Sequence, residues 1–108
     1  MIVENDSIWQ KILVGWFSGH EVIGTAANEA DALKLLREGR PELVTMDGNL
    51  DNEGLGLSIA GKMREQDPGV TIVMITGNPD LKFEGRGICK ADFADYDVEA
   101  CLKTWLAN

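Results

Sequence analysis

The stretch NEADALKLLREGRPELVTMD, Asn28 to Asp47, joins the pattern of an amphipathic helix to that of a buried strand. Asn28 is a residue type that caps helices, and apolar residues follow it at helical spacing: Ala32, Leu33 and Leu36. Pro41 then separates the helix from the apolar run 43–46, because proline cannot continue a helix. Asp47 follows that run directly. The stretch therefore predicts a helix, a break, and a strand that ends in a carboxylate.

Helical and strand-like patterns alternate along the rest of the chain. A first helix is expected between a cap at Asp6 or Ser7 and Gly19, a third helix from Leu55 to before Asp67, and a last helix over 97–108. Strands are expected at 1–3, 21–27, 42–47, 70–76 and, as a short edge strand, 91–96. About five strand–helix repeats predict an α/β fold with a doubly wound, five-stranded parallel sheet covered by helices on both faces.

Composition and charge narrow the class of protein. The chain of 108 residues is expected to form one domain, 1–108, and its net charge of −8 argues against nucleic acid as a direct partner. It contains no apolar run of about 18 residues and no signal-peptide pattern, so no membrane association is expected. Cys89 and Cys101 have no metal-ligand spacing. A reduced, cytoplasmic protein is the simplest interpretation.

Polar side chains follow three of the expected strands. Glu4, Asn5 and Asp6 come after the first strand, Asp47 after the third, and Thr76 ends the fourth. The carboxyl ends of parallel strands meet at one edge of the sheet, which is where functional groups collect in this architecture. We therefore expect the acids and the hydroxyl to share a site, although each could also be an ordinary turn, cap or strand-end residue.

Three segments together resemble the receiver domain of two-component response regulators. They are IVEND at 2–6, GTAANEADALKLLREGRPELVTMDGNL at 24–50 and IVMITGN at 72–78. The resemblance implies a flavodoxin-like sheet. It also implies that Asp47 is a phosphoacceptor, which takes a phosphoryl group from a histidine kinase, a phosphotransfer protein or a small phosphodonor.

The resemblance further implies a cofactor and a switch. Mg²⁺ would be bound at this edge of the sheet, and Thr76 would bond a phosphoryl oxygen and couple phosphorylation to loop movement. Phe93 would be the aromatic residue whose rotation reports the switch. The positions that match the metal ligands of the family are Glu4, Asn5, Asp47 and the backbone carbonyl of Asn49, with Asp6 as an alternative if the turn rotates it inward.

Two positions depart from the family pattern. Asn5 stands where a second acid is usual, so a bound Mg²⁺ would meet one negative charge fewer. The family has a lysine three residues after the switch aromatic, and counting from Phe93 leads to Tyr96. Lys90 is the nearest lysine; with the fifth strand at 91–96, it is expected before that strand and outside the site.

Two functions therefore stay open. The first is a phosphoryl-accepting signalling switch that passes its signal to an unknown output protein. The second is a pseudo-receiver, a protein-interaction module that works without phosphorylation. Neither is an enzyme beyond self-catalysed phosphoryl transfer and dephosphorylation. Trp9, Trp16 and Phe17 are expected to be core or helix-face residues.

Overall fold

A computed structural model of the chain describes residues 1–50 and 55–107. Five parallel strands form one sheet in the order β2-β1-β3-β4-β5: Ile2–Val3 (β1), Thr25–Ala26 (β2), Leu43–Met46 (β3), Thr71–Thr76 (β4) and Gly87–Cys89 (β5). The α-helices are Ser7–Trp16 (α1), Glu29–Gly39 (α2), Leu55–Gln66 (α3) and Val98–Trp105 (α4). A 3₁₀ segment covers Lys90–Asp95. The predicted five-stranded doubly wound sheet is confirmed.

The side chains of β4 alternate between two hydrophobic clusters. Ile72 and Met74 belong to the cluster that includes α2 and α3, whereas Val73 and Ile75 belong to the cluster that includes α1 and α4. All four side chains are buried. Helices thus cover both faces of the sheet, which explains why β4 is a continuous apolar run rather than an alternating one. Within the described residues, no helix combines the length and the apolar character that crossing a membrane requires.

The caps expected from the sequence define where the first two helices begin. Asp6 caps α1, because its side chain accepts a hydrogen bond of 2.8 Å from the Ile8 backbone N–H. Asn28 caps α2 in the same way. The C-cap of α2 is Arg40, which adopts a left-handed conformation (φ 47°) just before Pro41. These local signals set the positions of the strands on either side of each helix.

The predicted edge strand at 91–96 is wrong. Those residues lie mainly in the 3₁₀ segment, and the strand that pairs with β4 is the earlier run Gly87–Cys89, with Thr76 opposite Cys89. The physical reason is the placement of Phe93, whose ring packs against the aromatic residues of α1 instead of lying on a pleated strand. Because β5 ends at Cys89, the chain leaves the sheet at Lys90.

Two further elements are shorter than predicted. The second strand was expected over 21–27 but contains only Thr25–Ala26. Residues 77–86, which join β4 to β5, contain no helix; they include a tight reversal at Glu84 and Gly85, where φ is 52° and 79°. Three glycines in 77–87 agree with this irregular conformation, since glycine disfavours helix interiors. The last helix ends at Trp105, and Asn108 lies outside the described residues.

Candidate functional site

Three side chains predicted from the sequence meet at the carboxyl edge of the sheet. Glu4 follows β1, Asp47 follows β3 and Thr76 ends β4. The parallel hydrogen-bond ladder continues one residue past β1 and one residue past β3. The Glu4 N–H donates to the Ala26 carbonyl and the Asp47 N–H donates to the Val3 carbonyl, each at 2.9 Å. Glu4 and Thr76 are fully buried and Asp47 is 7% exposed. The site therefore holds two carboxylates with little access to water.

The Glu4 carboxylate has a partner on each oxygen. Its Oε2 accepts a hydrogen bond of 3.2 Å from the Asp6 backbone N–H, and its Oε1 lies 2.6 Å from the Lys90 Nζ. Burial raises the pKa of Glu4, and the neighbouring Asp47 carboxylate raises it further, while the Lys90 ammonium opposes both effects. Glu4 is therefore a buried acid that depends on a cation to stay ionised.

Lys90 lies in the site, and the prediction that placed it before the fifth strand and outside the site is wrong. It directly follows β5, and its Nζ is 2.6 Å from Glu4 Oε1 and 3.9 Å from Asp47 Oδ1. The error came from the register of β5, since a strand ending at Cys89 puts Lys90 at the same edge as the acids. The position expected to hold the family's lysine, Tyr96, lies beyond the 3₁₀ segment and is exposed.

The corrected register also moves the position of the switch aromatic. Counting three residues back from Lys90 leads to Gly87, which has no side chain. A Cβ atom at Gly87 would lie 2.9 Å from Lys82 Cγ and 3.1 Å from the Leu81 carbonyl oxygen, so the loop before β5 occupies that space. Phe93 therefore lies three residues after Lys90 rather than three before it.

Two glycines hold the loop that carries Asp47. The Gly56 N–H of α3 donates to the Gly48 carbonyl at 2.9 Å, and a Cβ atom on Gly56 would lie only 2.6 Å from the Gly48 Cα. A Cβ atom on Gly48 would lie 3.2 Å from the Thr76 Oγ1. The Asn49 N–H donates to Asp47 Oδ1 at 3.2 Å. Close backbone packing thus holds the loop that carries Asp47, whose Oδ1 lies 3.9 Å from the Lys90 Nζ.

The Thr76 hydroxyl can serve an anion at this edge. Its Oγ1 accepts a hydrogen bond of 3.4 Å from the Asn78 backbone N–H. A hydroxyl that accepts such a bond still carries its own proton, which it can donate. Thr76 therefore provides donor chemistry beside the Asp47 carboxylate.

Asn5 and Asp6 are engaged in holding the acidic turn. The Asn5 amide donates to the Leu50 carbonyl and so ties the turn after β1 to the loop after β3. Asp6 Oδ1 accepts from the backbone N–H groups of Ile8 and Trp9 at the start of α1. The capping role expected for Asp6 is confirmed, and a metal-ligand role for either residue stays a prediction.

An aromatic cluster borders the site, and its contact with a charged group was not predicted from the sequence. The Lys90 Nζ lies 4.8 Å from the centroid of the Trp9 ring. Trp9 meets Phe93 edge to face at 5.4 Å, and Phe93 is 4.9 Å from Trp16. The expectation that Trp9, Trp16 and Phe17 are core or helix-face residues agrees with their packing under α4. The position of Trp9 could have indicated this contact, because Trp9 lies in the first turn of the helix that follows the acidic turn.

The residues present suit a hard divalent cation. Two buried carboxylates, Glu4 and Asp47, share one ammonium group, which leaves an excess negative charge that a cation would neutralise. With the backbone carbonyl of Asn49, whose role as a ligand stays a prediction, they would supply only oxygen donors, the kind Mg²⁺ prefers. Within residues 1–50 and 55–107, no group of three or more His, Cys, Asp or Glu side chains forms a metal cluster. A metal here would therefore keep several waters.

Comparison with known proteins places the chain among signalling domains. A family model described as "Response regulator receiver domain" matches residues 1–96. The probable C4-dicarboxylate response regulator DctR of Halalkalibacterium halodurans is 29% identical over 85 residues, which make up 76% of this chain and 36% of DctR.

Solved structures show the same fold. The response regulator PhyR of Brucella abortus is 22% identical with a TM-score of 0.83, over 98% of this chain and 46% of PhyR. A response regulator of Burkholderia pseudomallei, solved with a phosphorylated aspartic acid, a calcium ion and citrate, is 22% identical with a TM-score of 0.78, over 99% of this chain and 65% of that protein. The chain thus spans less than half of DctR and of PhyR.

Proposed function

The chain belongs to the response regulator receiver domain family, and from that premise we propose that it is a phosphoryl-accepting signalling switch of a two-component system. Asp47 receives the phosphoryl group. The observation that carries this proposal is the contact of one cation, Lys90, with both buried acids, at 2.6 Å from Glu4 and 3.9 Å from Asp47. A positive charge beside the nucleophile is what phosphoryl transfer requires.

In the proposed reaction, an Asp47 carboxylate oxygen attacks the phosphorus of the donor. A new P–O bond forms an acyl phosphate as the P–N bond of a phosphohistidine breaks, and the departing imidazole takes up a proton. With acetyl phosphate as donor, a P–O bond breaks and acetate leaves. The Lys90 ammonium and the Thr76 hydroxyl lie where they can bind the phosphoryl oxygens, and the low exposure of Asp47 limits attack by water.

Mg²⁺ is the proposed cofactor. Glu4, Asp47 and the backbone carbonyl of Asn49 would hold it, with Asn5 or Asp6 as further ligands. When bound, it neutralises charge on the transferring phosphoryl oxygens. Glu4, which is paired with Lys90 in this structure, would be one of the ligands, and the Lys90 ammonium would then be available to the phosphoryl group.

The proposed output of the switch runs through Thr76 and Phe93. Thr76 is at the end of β4, so a hydrogen bond to a phosphoryl oxygen would pull on the loop that begins at Gly77. Phe93 follows Lys90 by three residues, and its ring packs on Trp9 and Trp16 of α1. Movement of Lys90 would therefore reach the surface formed by α1 and the 3₁₀ segment.

The proposed context is that of a single receiver domain, residues 1–108, in the cytoplasm. A histidine kinase, a phosphotransfer protein or a small phosphodonor would supply the phosphoryl group, and a separate output protein or domain would respond to it. Catalysis would be limited to phosphoryl transfer to Asp47 and its later hydrolysis.

A pseudo-receiver that binds partners without phosphorylation is the second candidate. The specific observation in its favour is that the site is already paired: Lys90 neutralises Glu4, and the Asn5 amide is bound to the Leu50 carbonyl. Such a site could be stable with neither metal nor phosphoryl group.

An amide NMR titration with beryllofluoride, a phosphoryl mimic, and Mg²⁺ separates the two candidates. For the switch, we expect shifts around Asp47, Thr76 and Lys90 in the wild type and none in Asp47→Asn. The matched control is Asp67→Asn, at a half-buried loop position outside the site, which should respond like the wild type. An unchanged wild-type spectrum at saturating ligand would favour the pseudo-receiver.

A further inference from the structure

The indole of Trp9 contacts the ammonium group that pairs with the carboxylates of the site. Trp9 is in the first turn of α1, where its backbone N–H donates to Asp6 Oδ1 at 3.3 Å. The same acidic turn holds Glu4, because the Asp6 N–H donates to Glu4 Oε2. One short segment thus fixes both the main anionic partner of Lys90 and the ring that the ammonium approaches at 4.8 Å.

We propose that Trp9 is a positioning residue for phosphoryl transfer, acting through a cation–π contact that holds the Lys90 ammonium beside Asp47. The inference rests on the proposed function, in which Lys90 binds the phosphoryl group. It adds a residue that acts on the nucleophile through Lys90.

The physical argument starts from the flexibility of lysine. Four methylene groups carry the ammonium, which could otherwise point to solvent beyond the end of β5. Only 16% of the Lys90 side chain is exposed, so the ammonium has lost much of its hydration and gains from the electron-rich face of the indole. Trp9 therefore offsets part of the cost of keeping the cation inside the site.

The ring is itself held in place. Trp9 meets Phe93 edge to face at 5.4 Å, and Phe93 lies in the 3₁₀ segment that Lys90 begins. Trp9 of α1 thus contacts two residues of the 3₁₀ segment, Lys90 and Phe93. When a phosphoryl group draws the ammonium toward Asp47, the separation between the ammonium and the indole changes, and Trp9 senses occupancy of the site.

Simple packing is the competing role for Trp9, and Trp16 provides the matched control. Trp16 belongs to the same aromatic cluster, where it contacts Phe93 at 4.9 Å and Phe17 at 5.0 Å. The cation–π pairs in the described residues place Lys90 over Trp9 and none over Trp16. Loss of either indole weakens the packing, but only loss of Trp9 removes the aromatic ring that contacts the Lys90 ammonium.

The first test measures the rate of phosphorylation by acetyl phosphate at saturating Mg²⁺, using intact-protein mass spectrometry. Trp9→Leu should slow the reaction by about 5- to 30-fold, the range expected for losing a partly desolvated cation–π contact. Trp9→Phe, which keeps an aromatic face, should recover most of that loss. Trp16→Leu should stay within about 2-fold of the wild type, because the cation contact is intact.

A double-variant cycle isolates the effect on Lys90. In a Lys90→Met background, Trp9→Leu should cause no further loss of rate, because the cation is already absent. Equal slowing by Trp9→Leu and Trp16→Leu, or equal slowing by Trp9→Leu with and without Lys90, would overturn the proposal. Far-UV circular dichroism of each variant confirms that the rates come from folded protein.

Fluorine NMR of the protein labelled with 5-fluorotryptophan tells a failure of this inference from a failure of the proposed function. Trp9→Phe assigns the Trp9 resonance, and Trp105 on α4 serves as the internal reference. Beryllofluoride with Mg²⁺ should shift the Trp9 signal and leave the Trp105 signal in place. Amide shifts at Asp47 without a change at Trp9 would overturn only the role of Trp9, whereas no shift at Asp47 would overturn the phosphorylation proposal as well.

Discussion

Removal of the Lys90 ammonium should destabilise the folded protein strongly, because it leaves a buried carboxylate without its cation. The Lys90 Nζ lies 2.6 Å from Glu4 Oε1, where the Coulomb attraction is about 6 kcal/mol at an effective dielectric constant of ~20. Desolvation of the two ions offsets part of that attraction, and breaking a buried pair by removing one partner costs about 3–5 kcal/mol. Since 16% of the Lys90 side chain is exposed, we expect the lower end of that range, about 3 kcal/mol, for Lys90→Met at neutral pH.

Urea denaturation followed by circular dichroism measures this free energy of unfolding. The double variant Glu4→Gln with Lys90→Met should recover most of the loss, because Glu4, the nearer partner of Lys90, then carries no buried charge. The matched control is Lys62→Met, which breaks the exposed pair with Glu29 and should cost no more than about 1 kcal/mol. A loss below about 1 kcal/mol for Lys90→Met, typical of an exposed pair, or a double variant no more stable than the single one, would refute the reasoning.

The loss of stability caused by Lys90→Met should depend on pH in a definite direction. Burial raises the pKa of Glu4, and Lys90 opposes the rise, so Lys90→Met should raise that pKa further. An acid whose pKa is higher in the folded state destabilises the fold as pH increases from its unfolded pKa toward its folded one. The cost of Lys90→Met should therefore be smaller in mildly acidic urea titrations than at neutral pH. A cost that is independent of pH would mean that Glu4 is not the group that responds.

Three substitutions test the packing around the site by urea denaturation. Gly56→Ala should destabilise the fold by about 1–3 kcal/mol, because its Cβ would clash with the backbone of the Asp47 loop. The control Gly61→Ala, whose Cβ would meet no described atom within 4 Å, should be neutral or stabilising. Equal effects of the two substitutions would contradict this contrast. Thr45→Val should stabilise the fold by about 1 kcal/mol, because the buried Thr45 hydroxyl has no hydrogen-bond partner among residues 1–50 and 55–107; a destabilised variant would show that the hydroxyl is satisfied. Asp6→Ala should cost about 1 kcal/mol through loss of the α1 cap, and an unchanged stability would remove that role.

The part of the site built on regular strands was predictable from the sequence. Glu4 and Asp47 each follow an apolar run directly, and a parallel sheet brings the ends of such runs to one edge. The register of β1, β3 and β4 was fixed by buried residues on both faces. The caps at Asp6 and Asn28 also carried a local signal, because their side chains bond the helix backbone within three residues.

The fifth strand was not predictable from local pattern. It has three residues, one of them Gly87, and it pairs with β4 alone at the edge of the sheet. The apolar residues after it imitate the alternation of a strand, although tertiary contacts of Phe93 with α1 hold them in a 3₁₀ conformation. An error of register there moved Lys90 out of the site, and the cation–π contact with Trp9 depends on that register.

The most direct test of the central claim is intact-protein mass spectrometry after incubation with acetyl phosphate and Mg²⁺. We predict the mass of one added phosphoryl group on the wild type, none on Asp47→Asn, and a much slower gain on Lys90→Met. Borohydride reduction of the acyl phosphate, followed by peptide mapping, should place the modification at Asp47. A wild-type protein that stays unmodified, or that is modified at a residue other than Asp47, would contradict the claim that this site accepts a phosphoryl group.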